Sequence, residues 1–147
     1  MQWKRWHEHD EWNAKAYRWP RPETLDFLST DDGYQLAQRF LRSHWGLMSE
    51  LVVDGLTSAT KDPDRWRIVV QIARHGFAPN VSLLSKDIGI SEQRAQSVLN
   101  TIGIREIIGL SEVAGRLADR ADLCSMACQN ARDPIKCFKE CMKEGTI

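Results

Sequence analysis

The sequence predicts an all-α protein, with a tri-helical core between flanking N-terminal helices and a C-terminal helical hairpin that carries cysteines. Three observations predict it. Apolar residues recur at helical spacing from Glu23 onward, and hardly any stretch alternates in the manner of a strand. Cap residues stand in front of the periodic segments, at Asp62, Asn80, Ser91, Ser111 and Asp133. All 4 cysteines lie in "CSMACQNARDPIKCFKEC", residues 124 to 141, as two pairs each spaced to share one helical face.

Composition bounds the class. A chain of 147 residues with 42% hydrophobic and 27% charged residues is long enough for one domain with a real core. The formal net charge of +0 gives no global attraction to nucleic acid or membrane, so any electrostatic case must be local. No apolar run approaches the roughly 20 residues that span a bilayer. The N-terminal stretch "MQWKRWHEHDEW" has no apolar h-region and is acidic for a transit peptide. The expectation is a cytoplasmic protein without membrane contact, where closely spaced cysteines bind metal or respond to redox change more often than they form static disulfides.

Residues 1–22 read as an aromatic and charged arm. Trp3, Trp6, Trp12 and Trp19 suit docking onto another surface, and Pro20 and Pro22 close the arm against helix. His7, Glu8, His9, Asp10 and Glu11 form a mixed run that reads as solvated rather than as a metal cluster. Residues 23–60 hold the N-terminal helices. The pattern predicts a short helix near Glu23 to Leu28 and a longer one from about Asp32 to Leu56, on Leu36, Phe40, Leu47, Leu51 and Val52. His44 lies beside that apolar face as a structural residue. Residues 61–110 follow the linker "TSATKDPD", where Asp62 caps a helix and Pro63 takes its first position. Trp66, Val69, Val70 and Ile72 line that helix, and Gly76 suits the position after its end. Asn80 opens a second helix and Ser91 a third, with "DIGIS" as the tight turn between them. Residues 111–147 form the hairpin. Its first helix, capped by Ser111, aligns Val113, Leu117, Ala121, Cys124 and Cys128 on one stripe, and Asp133 with Pro134 starts its second.

The segment "LSKDIGISEQRAQSVL", residues 84 to 99, resembles the helix-turn-helix of bacterial transcription regulators. Gly89 stands where the turn needs positive φ, and Leu84, Ile88, Ile90, Ala95 and Val98 stand where the two helices pack. Length, N-terminal helices and a long C-terminal helix make the chain loosely similar to the MarR-type dimeric regulators. Their basic β-hairpin wing is absent or reduced, because "TIGIREIIGL" offers only Arg105.

The resemblance implies double-stranded DNA as partner and a homodimer. The third helix would enter the major groove with Ser91, Gln93, Arg94, Gln96, Ser97 and Asn100 toward base edges, and Glu92 beside them. Gln and Asn suit adenine, and Arg suits guanine. Lys86 would meet phosphate, together with Arg65, Arg67 and Arg74. From 61 to 105 the chain carries seven Lys or Arg against four acids, a local surplus of three that a dimer would double.

In the hairpin, Cys124 faces Cys141 and Cys128 faces Cys137. Four converging sulfurs fit two cross-helix disulfides, a four-thiolate zinc site or iron–sulfur cluster, or Cu(I). The twin CxxxC also resembles the disulfide-stapled hairpins of mitochondrial intermembrane-space proteins. Four buried thiols acting as small apolar residues are the bland alternative. No phosphate loop, HExxH or nucleophile elbow is present, so the chain reads as non-enzymatic. Two functions remain. The preferred one is a dimeric DNA-binding regulator with the hairpin as staple, metal site or redox sensor. The other is an assembly subunit with the helix-turn-helix as scaffold and the arm as the docking element for a protein partner.

Overall fold

A computed structural model describes residues 20–75 and 80–144 of the chain. The tryptophans at 3, 6, 12 and 19, the acidic–histidine run and Gly76 lie outside the described residues. The described residues form nine α-helices and one 3₁₀ turn, with no strand. In chain order these are α1 Pro22–Leu28, α2 Asp31–His44, the 3₁₀ turn Trp45–Leu47, α3 Glu50–Ala59, α4 Pro63–Arg74, α5 Val81–Ile88, α6 Glu92–Leu99, α7 Ile104–Arg116, α8 Ala118–Ala127 and α9 Pro134–Glu144.

Local chemistry places most of the starts. Asp62 accepts from the Arg65 N–H at 2.9 Å with Pro63 in the first turn, so α4 begins as read from sequence. Asn80 accepts from Leu83 N–H and Ser91 from Arg94 N–H, and these open α5 and α6. Asp133 accepts from Lys136 N–H at 3.1 Å and opens α9.

The long helix expected from Asp32 to Leu56 is two helices. α2 stops at His44, and after the 3₁₀ turn Ser49 accepts from Val52 N–H to start α3. Leu36 and Phe40 are buried on α2, whereas Leu47 is 81% and Leu51 46% exposed. The inward face of α3 is Val52, Gly55, Leu56 and Ala59. The single stripe read from sequence joined residues belonging to two faces.

Ser111 is likewise no cap. It lies within α7, which begins at Ile104, where the Gly103 N–H donates to Glu106 Oε2 at 3.0 Å. The backbone turns at Leu117, and α8 continues from there. The stripe Val113, Leu117, Ala121, Cys124 and Cys128 is buried as expected, although two helices share it.

The core gathers around α4. Trp66 is fully buried, and its Nε1 donates to the Leu28 carbonyl at the end of α1 at 2.6 Å. Burying that indole removes on the order of 150–250 Å² from water. Tyr34 donates to the Thr60 carbonyl at 2.9 Å and ties α2 to the end of α3. Burial and the Asp62 carboxylate push this phenol above its ordinary pKa, against the opposing Gln38 hydrogen bond. α3 and α7 cross at backbone distance through Gly55 and Gly109. α9 closes over the N-terminal helices with Phe138 and Met142, both buried, and Lys143 reaches Asp32 at 3.8 Å.

Candidate functional site

The helix-turn-helix forms as the residues dictate. α5 ends in Gly89 at φ 78°, ψ 34°, a left-handed conformation that costs a residue with a Cβ roughly 1–2 kcal/mol. The Gly89 and Ile90 N–H groups both donate to the Ser85 carbonyl, and the Ser85 hydroxyl donates back to the Ile90 carbonyl. Leu84, Ala95 and Val98 are buried between the helices, with Ile88, Ile90 and Leu99 packed at the margin.

The outward face of α6 is open. Ser91, Glu92, Gln93, Arg94, Gln96, Ser97 and Asn100 are all exposed, as is Lys86 on α5. Gln96 Nε2 donates to Asn100 Oδ1 at 2.9 Å, and the Ser82 hydroxyl donates to Glu92 at 2.8 Å. The face is therefore polar and presented to solvent as one surface. α6 is followed by the short "NTIG" connection, residues 100–103, and then α7, with no hairpin between them.

The electrostatics of this unit differ from its sequence inventory. Arg65 pairs with Glu106 at 2.6 Å, Arg67 pairs with Asp31, and Arg74 reaches Asp26 at 3.1 Å. These three acids lie outside or at the edge of the 61–105 segment, and together they cancel its surplus of three positive charges. Arg94, on the open face, leans toward Asp62 at 3.5 Å and Asp64 at 4.0 Å. Among the described residues, Lys61, Lys86 and Arg105 are the cations of the segment outside ion pairs, and Asp87 and Glu92 stand near them in sequence. The three arginines expected to meet phosphate each pair with a carboxylate of another helix.

The Arg65–Glu106 pair is the most buried of these, at 12% and 7% side-chain exposure. Arg65 also donates to the Thr101 hydroxyl at 2.6 Å and carbonyl at 3.0 Å, and Ser58 donates to Glu106 at 2.9 Å. Helices α3, α4 and α7 and the turn after α6 thus meet on one carboxylate. Burial alone pushes the Glu106 carboxyl up, but Arg65, the Gly103 N–H and Ser58 outweigh it and hold the group below the usual range. Sequence reading missed this cluster. Glu106 at the third position of a helix was the available signal, hidden because Gly103 has no capping side chain.

The cysteines pair as the hairpin geometry implies. Cys124 bonds Cys141 with Cα atoms 5.7 Å apart, and Cys128 bonds Cys137 at 5.6 Å, both within the ordinary disulfide range. Cys124 and Cys128 are buried. Sulfurs joined in this way are not thiolate ligands, so the zinc, iron–sulfur and Cu(I) arrangements would require both bonds to be reduced. Among the described residues, no group of three or more His, Cys, Asp or Glu is placed to hold a metal ion. Arg120 donates to the Cys141 carbonyl at 2.8 Å and ties the end of α9 to α8.

A second feature went unread in the sequence. Trp45, Leu47 and Leu51 are exposed together at the corner between α2 and α3, with Trp45 at 65%. Among the described residues, no helix is long and apolar enough to cross a membrane. Compared with protein-family models, curated proteins and solved structures, the chain matches none.

Proposed function

We propose that the chain is a non-enzymatic interaction or assembly subunit: a helix-turn-helix scaffold that offers the polar face of α6 to a protein partner, stapled by a disulfide-closed hairpin. The observation that carries this reading is the neutralisation of the basic surplus. Non-specific DNA affinity comes from Lys and Arg that replace phosphate counterions. Here Arg65, Arg67 and Arg74 face carboxylates of the same chain, and Arg94 is shared with two more. What remains on α6 is Ser, Gln and Asn flanked by balanced charge, donors and acceptors able to pair with polar groups of another protein.

The two disulfides support the same reading. Bonds of this kind persist in oxidising compartments, which favours such a location over the cytoplasm expected from sequence.

DNA binding by a dimer is the second reading, and the openness of α6 is the observation that favours it. The groove-facing residues are free to approach base edges, and a second copy would double Lys61, Lys86 and Arg105.

One pair of measurements separates the two. The tagged chain is purified under native, non-reducing conditions for mass spectrometry, and the same preparation is titrated against duplex fragments at several salt concentrations. A stoichiometric protein partner and no salt-dependent shift is the expected result. A shift whose affinity falls steeply with salt, with no partner retained, replaces the assembly reading with the DNA reading.

A further inference from the structure

The two disulfides of the hairpin sit in different surroundings. In the outer one, Cys124 is fully buried within the continuous apolar core, and Cys141 packs against that core with its carbonyl held by Arg120 at 2.8 Å. The inner pair, Cys128 and Cys137, lies outside the core cluster, at the end of the hairpin where α8 passes into α9. Cys137 is half-buried. Cys128 is 3% exposed, yet it lines a groove of about 440 Å³ between the start of α1 and the hairpin. The groove is of mixed charge, with Glu23 and Asp26 against Arg74 and Lys139, and Asp26 paired to Arg74. It therefore selects no strongly charged occupant, and its volume lies in the range that admits small molecules.

A disulfide opens when a thiolate attacks one of its sulfurs, so the rate follows access to that sulfur. No cysteine among the described residues is free, so the attacking thiolate comes from outside the chain. Exposed disulfides are the labile ones, whereas enclosed ones resist reduction. Lys136 and Lys139, both exposed, stand one and two positions from Cys137, and their ammonium groups favour thiolate beside it. At the outer bond Cys141 is half-buried too, but it is set against the core, and Met142 beside it is fully buried.

We propose that Cys128–Cys137 is a thiol-exchange site, at which a small external thiol reduces the inner bond of the folded chain while the outer bond stays closed. The thiolate attacks the Cys137 sulfur. The S–S bond breaks, and its electron pair leaves on the Cys128 sulfur, which takes a proton from water. A second thiolate attacks the mixed disulfide on Cys137, forming the small molecule's own disulfide and releasing the Cys137 thiolate. Two small thiols are thereby oxidised to one disulfide, and one protein disulfide is reduced to two thiols. The stretch from Gln129 to Lys136 is then closed only by the outer bond, and the groove wall at Pro134 and Ile135 is released with it. α9 stays on the core through Phe138 and Met142, so the hairpin tip responds to the thiol poise around it without loss of the fold. This holds whichever ligand α6 takes.

The test uses the full chain in its oxidised state, without denaturant. It is incubated with reduced glutathione or with dithiothreitol, and free thiols are trapped with N-ethylmaleimide at timed intervals and mapped by mass spectrometry. Label on Cys128 and Cys137 is expected at least about tenfold faster than label on Cys124 and Cys141. Label on the outer pair first, on both pairs at one rate, or on neither until the chain is unfolded overturns the proposal. In parallel, hydrogen exchange is compared between the parent and the double variant Cys128→Ala, Cys137→Ala, which lacks the inner bond. Faster exchange over residues 129–137 with α4 unchanged is expected. Equal exchange throughout, or faster exchange that extends over α4, overturns the release of the tip alone. The outer bond of that variant should still resist glutathione, and its reduction as fast as the inner bond of the parent would show that access does not set the order.

Discussion

Gly55 in α3 meets the backbone of Arg105 in α7 so closely that a Cβ on it would lie 1.9 Å from the Arg105 carbonyl oxygen. Gly109 answers from the other helix, where a Cβ would lie 2.8 Å from the Leu56 nitrogen. Both obstacles are backbone, so no side chain can swing aside. Gly55→Ala therefore forces the helices apart and pulls Glu106 from Ser58. Overpacking of this kind costs about 1–3 kcal/mol, and the upper end is expected here. Urea denaturation checks it; a midpoint equal to the parent's would mean the helices separate freely.

Glu106 is the acid on which three helices converge. Removing its charge in Glu106→Gln leaves Arg65 buried without a counterion, a loss of about 3–5 kcal/mol when one partner of a buried pair is removed. The pH dependence follows from the lowered carboxyl. A group whose folded pKa is depressed contributes fully above the ordinary carboxylate range and loses that contribution as pH falls through the folded value. The parent chain should lose stability on acidification through and below that range, and Glu106→Gln should lose much less. Equal acid limbs in the two proteins, measured by urea midpoints across acidic pH, would remove Glu106 as the source.

The disulfides close loops with sequence separations of 17 and 9. Chain-entropy arguments give about 3 kcal/mol for the longer loop and about 2.5 kcal/mol for the shorter, with less than the sum for both because the loops are nested. The longer bond joins buried Cys124 to α9 one residue before Met142, which is fully buried. Replacing Cys124 and Cys141 together with Ala should therefore lower Tm more than replacing Cys128 and Cys137. The reverse order in a thermal melt would show that the inner bond, not the outer one, fixes α9. The intact mass of the native chain should fall short of the reduced mass by four hydrogens.

What could be read from the sequence follows the range of each interaction. Asp62, Asn80, Ser91 and Asp133 cap through contacts three residues away, so their helices were readable from local chemistry. Gly89 and the cysteine spacing were legible for the same reason. The break at Trp45–Leu47 was not, because Leu47 and Leu51 continue an apolar spacing while turning outward. Arg65, Arg67 and Arg74 looked like free cations because Glu106, Asp31 and Asp26 lie 36 or more positions away along the chain. Charge surplus counted along a segment therefore overstated the positive field of its surface. The close approach of Gly55 and Gly109 leaves no local trace beyond two mid-helix glycines.

The face of α6 separates fold from function. Gln93, Gln96 and Ser97 are exposed, and among the described residues the one bond of their side chains is from Gln96 to Asn100, at 2.9 Å on the same surface. Changing all three to Ala removes no buried group and introduces a good helix former, so stability should stay within about 0.5 kcal/mol of the parent. Binding should not. Interface residues that pair in a desolvated patch cost more than 1 kcal/mol each when truncated, so loss of the co-purifying partner by at least a factor of about ten is expected. A DNA-binding role would give a different pattern: relaxed sequence preference with the salt dependence intact, because the phosphate-facing cations are untouched. If the triple variant retains its partner at parental stoichiometry, the recognition surface lies elsewhere on the molecule, and the exposed corner at Trp45, Leu47 and Leu51 becomes the next face to substitute.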